Sequence, residues 1–208
     1  MKKTIIKIVS IFFIFCFIIY ISLNIYCNIK AAKIDINVVR SETKVELSDM
    51  QIEIASFIYS KHANPKFTKL PLIIDFFSSK NQGAYTFVQV YGSTSSHLSC
   101  WHCLSPIQKR IKAFCTSRYV VRKIDYKTCY NYIFSASYFG YGSIYGLEDA
   151  SIFYFKKDFK DLSCKEFINL VLISENPYKY DILKEENCQL INDEINEIYS
   201  NFKKSQKK

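Results

Sequence analysis

Apolar residues fall along the chain in two regimes, one unbroken run near the N-terminus and then shorter stretches with helical spacing. Residues 8–26 read IVSIFFIFCFIIYISLNIY, nineteen positions without a charge. At about 1.5 Å of rise per residue, roughly twenty such residues cross the hydrocarbon layer as a helix. A cleaved signal peptide has a shorter apolar core of about 7–15 residues followed by small residues. Here the run is longer and Ala31-Ala32 is a weak cleavage signal, so the pattern predicts a retained transmembrane anchor. Three lysines (Lys2, Lys3, Lys7) precede the run and two (Lys30, Lys33) follow it, which orients the N-terminus inside and the bulk of the chain outside the cytoplasm.

After the anchor the period becomes helical. Ile52, Ala55 and Tyr59 share one face of a helix over residues 48–59. Residues 70–77 form a short apolar element before a break at Asn81-Gln82-Gly83. Pro106 suits a first helical turn, and Ile107, Ile111, Phe114 and Arg118 step along one stripe behind it. Asp125 is an N-cap for a helix through Phe134. A turn at Phe139-Gly140-Tyr141-Gly142 leads to a helix over residues 146–155. Ser163 with Glu166 three residues on is a capping box, and Asn176-Pro177 ends the helix that it opens. A last amphipathic helix covers residues 193–202. The expectation is a mainly α fold, one helical domain of lysozyme size behind one N-terminal transmembrane helix. The expected partition is 1–7 cytoplasmic N-terminus, 8–26 anchor, 27–46 linker, 47–200 folded domain and 201–208 basic tail.

Charge changes this picture little. The net charge is +9, but five of the 28 Lys/Arg lie in residues 1–33 and four in the tail. The nineteen that remain balance all nineteen Asp/Glu, which argues against a nucleic-acid binder. Within the domain, Lys109, Arg110, Lys112, Arg118, Arg122, Lys123 and Lys127 face Asp125 alone, a concentration suited to a phosphate and equally to a solvated helix face. The Ile, Lys, Asn, Phe and Tyr excess follows an AT-rich codon bias, so the aromatics are weak signals of stacking.

The informative stretch is YFGYGSIYGLEDASIFYFKKDFKDLSCKEFINLVLISENPYKYD, residues 138–181. Tyr138-Phe139-Gly140, Tyr145-Gly146-Leu147, Ala150, Tyr154-Phe155, Lys157, Leu162-Ser163, Glu166, Asn176-Pro177 and Tyr180-Asp181 fall in order and without a gap. This resembles the second half of the peptidoglycan glycosyltransferases, of the monofunctional type, which polymerise lipid II and write YFG, YG(I/V)xxA, YFGK, L(T/S)xxE and NPxxYDP. Two positions depart: Lys156 stands for the glycine of YFGK and Ile182 for the last proline. Upstream, Gly83, Thr86 and Gln89 resemble a worn GGSTITQ, and Lys109, Arg110 and Lys112 fall where the family writes RKxxE.

The resemblance implies a glutamate base in an EDxxFxxH motif, taking the proton of the acceptor hydroxyl as it attacks the donor's anomeric carbon. Glu53 is the best match, with Phe57 at the right offset, although Ile54 replaces the aspartate and His62 stands two residues late. Gly83, Thr86, Gln89, Lys109, Arg110 and Lys112 would hold the substrate. The cofactor stays open, a divalent metal or these cations being the means to absorb pyrophosphate charge. The family's second glutamate is Ala113, and its ILExYLN becomes Cys129 to Ser135, losing both Glu and Asn. The implied partners are lipid II, the nascent glycan strand and cell-wall synthesis proteins at the bacterial inner membrane. Activity is expected to be weak or absent; the alternatives are a non-catalytic protein that binds lipid II or the cell-wall machinery, and a membrane-tethered thiol protein using Cys100 and Cys103.

A further reading attaches to Cys100-Trp101-His102-Cys103. A CxxC resembles a thioredoxin-type redox pair, but that chemistry needs a βαβ setting, which the pattern lacks. With His97, the same run could ligate zinc, though the ligands are crowded and no second pair stands at standard spacing, so no metal site is assigned. A disulfide or free thiols in an oxidising compartment is the plainer expectation.

Overall fold

The computed structural model describes residues 2–31, 34–61, 64–94 and 101–207. These hold ten α-helices and one short 3₁₀ turn, with no β-strand among the described residues. The first helix, α1 (Lys2–Lys30), contains a stretch, Phe12–Ile29, long and apolar enough to cross a membrane and almost wholly uncovered by the rest of the chain.

Local signals set most helix ends. Helix α3 (Asp49–Ser60) opens on a capping box between Ser48 and Gln51. Helix α6 (Pro106–Lys123) opens on another, between Ser105 and Gln108, with Pro106 in its first turn. Asp125 caps α7 (Tyr126–Ala136) by accepting from the Thr128 N–H. Ser163 and Glu166 form the expected capping box of α9 (Cys164–Glu175). Each satisfies backbone N–H groups that the first helical turn leaves unpaired.

Helix α5 (Gln82–Thr94) lies centrally and packs on α6 and α7. Helix α3 packs on α5 and α9, and α10 (Glu185–Ser205) closes over α9 and α3. Gly83 permits the α5–α7 approach, since a Cβ there would lie 2.5 Å from the Tyr130 hydroxyl. Phe87, Tyr91, Tyr130, Tyr132, Phe134 and Phe167 fill the centre.

The expected linker at 27–46 belongs in its second part to the fold. Helix α2 (Ile36–Glu42) packs on α7, and Ile34, Val39, Val45 and Leu47 are buried. Its backbone is pinned as well: Ser135 Oγ accepts from the Lys44 and Val45 N–H groups, and Asn131 Oδ1 from Leu47 N–H. The tail needs the same correction, because α10 runs to Ser205 and Phe202 is fully buried, edge-on to Phe57. Helix α10 also begins at Glu185, eight residues ahead of the expected start. The break at residues 81–83 proves to be the opening turn of α5.

Candidate functional site

The basic helix α6 presents its apolar stripe to a cavity rather than to the core. Ile107 is 71% exposed and Ile111 40%, while Ala113 on another face is 1% exposed. Ile107, Ile111 and Phe114 border a cavity of about 760 Å³ whose other walls are α4 (Leu72–Phe77), the start of α5, and Leu23, Tyr26 and Cys27 at the C-terminal end of α1. The lining is mostly apolar, and Arg110 contributes the exposed charge. Lys109 and Lys112 are half-buried on the same helix and line neither this cavity nor the second hollow described below.

At the cavity wall sits a buried polar cluster. Arg118 Nη1 lies 2.8 Å from Asp75 Oδ2, with both side chains under a tenth exposed, and it also donates to the Leu70 carbonyl at 3.3 Å. Asn81 Nδ2 donates to Asp75 Oδ1 at 2.8 Å and to the Thr68 carbonyl at 2.8 Å, while its Oδ1 accepts from Thr68 N–H. The cluster ties the 64–70 segment and α4 to α5 and α6. The sequence held one sign of it: Arg118 occupies an apolar stripe, where a charge implies a buried partner.

Glu53 lies elsewhere. It lines a second hollow of about 830 Å³ with Lys61, Lys66, Tyr126 and Gln206, and its Oε2 accepts from Gln206 Nε2 at 2.7 Å. The two hollows share no lining residue. Of the other expected substrate-holding positions, Gly83 is buried beneath Tyr130, Thr86 is half-buried, and Gln89 is exposed on α5 without lining either hollow. The structure therefore places Arg110, the α1 end and Asp75 around one cavity, and Glu53 at another. His62, His97 and Cys100 fall outside the described residues. Cys103 is exposed, and Trp101 is buried against Gly92, where a Cβ would come within 2.6 Å of the indole.

A divalent cation does not fit the donor set at the cavity. Asp75 is the one carboxylate among its described lining residues, and both its oxygens are already engaged, one by a guanidinium. A cation there would have to displace Arg118 from a buried carboxylate.

The region that resembles a known pattern forms a module of its own. The turn after Tyr138 uses positive φ at Gly140 (93°), Tyr141 (47°) and Gly142 (76°), and Tyr138 pairs with Tyr145 in one antiparallel bridge. Helix α8 (Leu147–Phe155) follows, and its Tyr154 hydroxyl donates to the Phe139 carbonyl. A Cβ on Gly140 would touch Pro177 at 3.3 Å, and Tyr141 donates to Asp181.

Residues 79–202 match the family model described as transglycosylase, more than half of the chain. The chain belongs to the transglycosylase family. Its described part is accordingly a lysozyme-like helical domain, which makes it a relative of the peptidoglycan glycosyltransferases. The match runs from the approach to α5 into α10 and does not reach α3, where Glu53 stands. No curated protein and no solved structure matches the chain.

Proposed function

We propose that this transglycosylase relative holds the lipid-pyrophosphate end of lipid II in the cavity between α1 and α6, and elongates glycan strands slowly or not at all. The observation that carries the reading is the apolar cavity framed by the end of an uncovered apolar helix, with Arg110 in its lining. Isoprenoid carbons suit such walls, and a guanidinium makes a bidentate, charge-assisted contact with phosphate. In this reading α1 is a single-pass anchor in the bacterial inner membrane, with the domain outside the cytoplasm beside lipid II, the nascent strand and other cell-wall synthesis proteins. Lys109 and Lys112 add charge next to Arg110.

The supply of carboxylates limits the chemistry. Asp75 is held by Arg118 and Asn81, Glu53 lines a different hollow, and Ala113 has no proton to exchange. General acid–base assistance is typically worth about 10²–10⁴ in rate, so polymerisation is expected far below that of an ordinary family member.

Two assays on the purified full chain test this. Arg110→Ala should weaken binding of a lipid II analogue, more at low salt than at high salt because salt screens the contact. Equal binding by the variant at low salt would remove Arg110 from the site. In a polymerisation assay with lipid II and a divalent metal, rapid turnover by the unaltered protein would refute the slow-enzyme reading. A slow turnover abolished in Glu53→Gln would make Glu53 the base.

A further inference from the structure

Two cysteines far apart in sequence meet where the anchor helix joins the domain. Cys27 Sγ and Cys115 Sγ are 2.8 Å apart across 88 residues of chain. A disulfide bond is about 2.05 Å long, so closing the pair asks for a shift of under an ångström. The pair sits on the contact between α1 and α6, and both residues line the same cavity as Arg110. Cys27 lies two positions before the end of the apolar stretch Phe12–Ile29, at the end from which the domain continues. Cys188 has other partners, donating to the Ile182 and Lys184 carbonyls.

We propose that Cys27 and Cys115 form a disulfide that bolts the C-terminal end of α1 to α6. The proposal concerns this chain's own thiols and is independent of whether it transfers sugars. Its occurrence in the cell rests on the outward orientation proposed above. The oxidant is a disulfide-donating thiol carrier of the compartment. Cys27, the less buried sulfur, attacks one sulfur of the carrier disulfide and expels the other as a thiol. Cys115 then attacks Cys27 Sγ, forming the bridge and expelling the second carrier thiol. Two protein thiols are oxidised, one carrier disulfide is reduced, and the two protons leave on the two carrier thiols. The order follows from burial: Cys115 is 2% exposed, and burial, reinforced by the neighbouring Cys27, pushes its thiol up, so little of it is thiolate until a partner sulfur is in place.

The consequence is mechanical. With the bridge closed, α6 cannot slide along α1, and Arg110 stands at a fixed height beside the end of the apolar helix. With the bridge open, only packing holds the two helices together. In a lipid-handling domain that height decides whether the cation meets a phosphate at the membrane surface.

The test treats the full chain, purified in detergent under reducing conditions, with glutathione disulfide as the carrier. Thiols are then blocked with N-ethylmaleimide and the protein is digested without reductant for mass spectrometry. The expected result is a linked peptide pair containing Cys27 and Cys115, lost on reduction and in both Cys27→Ser and Cys115→Ser. In Cys115→Ser, Cys27 should instead retain one glutathione. Oxidation should raise the Tm of the unaltered protein and leave that of Cys27→Ser unchanged. Recovery of Cys115 as a blocked thiol, or bridged to any other cysteine, would overturn the pairing. A Cys27–Cys115 bridge that forms with no rise in Tm would overturn the bolt. Because the reaction is run on purified protein, an inward orientation in the cell would appear separately, as blocked thiols in membranes harvested directly into N-ethylmaleimide.

Discussion

The Asp75–Arg118 pair is where this fold is most open to a single change. Replacing Arg118 with Met keeps the apolar stem and removes the guanidinium, leaving Asp75 buried with one remaining donor, Asn81 Nδ2. Breaking a buried ion pair from one side typically costs about 3–5 kcal/mol, because the surviving charge is left uncompensated. Asp75 borders a cavity, so water reaching its edge places the expected loss toward the lower end of that range. For a chain of this size about 1 kcal/mol corresponds to roughly 2–4 °C in Tm, which puts the drop near 6–12 °C. Asp75→Asn should cost less, since an amide oxygen still accepts from Asn81 and Arg118 keeps the Leu70 carbonyl. The double variant Asp75→Asn with Arg118→Met should then lose less than the two single losses added, because no lone charge remains. Thermal unfolding of the full chain in detergent, followed by far-ultraviolet circular dichroism, reads all three. A loss under about 1 kcal/mol for Arg118→Met, or strict additivity in the double variant, would show that the pair is solvated and does not hold α4, α5 and α6 together.

Lys156 closes α8 at φ 56°, a left-handed position where the family writes glycine, so Lys156→Gly should raise stability by about 0.5–1 kcal/mol in the same unfolding assay. Glu166 is pushed up by partial burial, but bonds from Lys157 and from the Ser163 backbone and side chain outweigh this and hold it below its ordinary 4.5. The stability it contributes is therefore present above pH 4.5 and lost as pH falls through its lower folded value, and Glu166→Gln, which keeps the cap, should flatten that acid limb by a few tenths of a kcal/mol, small because Lys157 is half-exposed. Ala113→Glu would bury a carboxylate at a position 1% exposed, so it should lower Tm by several degrees without raising polymerisation, and a stable, faster variant would refute the packing.

What could be read from sequence was what is decided locally. The caps at Ser48, Ser105, Asp125 and Ser163 satisfy N–H groups within three residues, so residue type and spacing suffice to place α3, α6, α7 and α9. The second part of the expected 27–46 linker joins the fold through distant contacts that no local pattern carries: side chains of α7 bond Glu42 and the backbone of residues 44–47, and Ile34, Val39 and Val45 turn inward. The α6 stripe was read correctly as a helix face. Which neighbour it meets is set by the distant α1, and local periodicity does not carry that. Glu53 shows the same limit. Its offset to Phe57 obeys a motif, but the hollow it lines is completed by Tyr126 and by Ser205 and Gln206 at the end of α10, about 150 residues onward.

The positions that resemble the family most closely are the ones that hold one another. Gly140 leaves room for Pro177, Tyr154 bonds the Phe139 carbonyl, Tyr141 bonds Asp181, and Lys157 pairs with Glu166 at 2.6 Å. A signal made of packing residues reports a fold and says little about a reaction. The two α7 positions where the resemblance expects Glu and Asn point the same way. They are Asn131 and Ser135, and both spend their side-chain oxygens on the backbone of residues 44–47. On α6, the place of the second glutamate is a buried alanine against the core. At the positions where the resemblance expects functional side chains, this chain docks a segment and fills a helix interface. In the reading proposed above, that exchange leaves the domain intact while removing proton-transfer groups, and it is the structural ground on which slow polymerisation is expected of a family member.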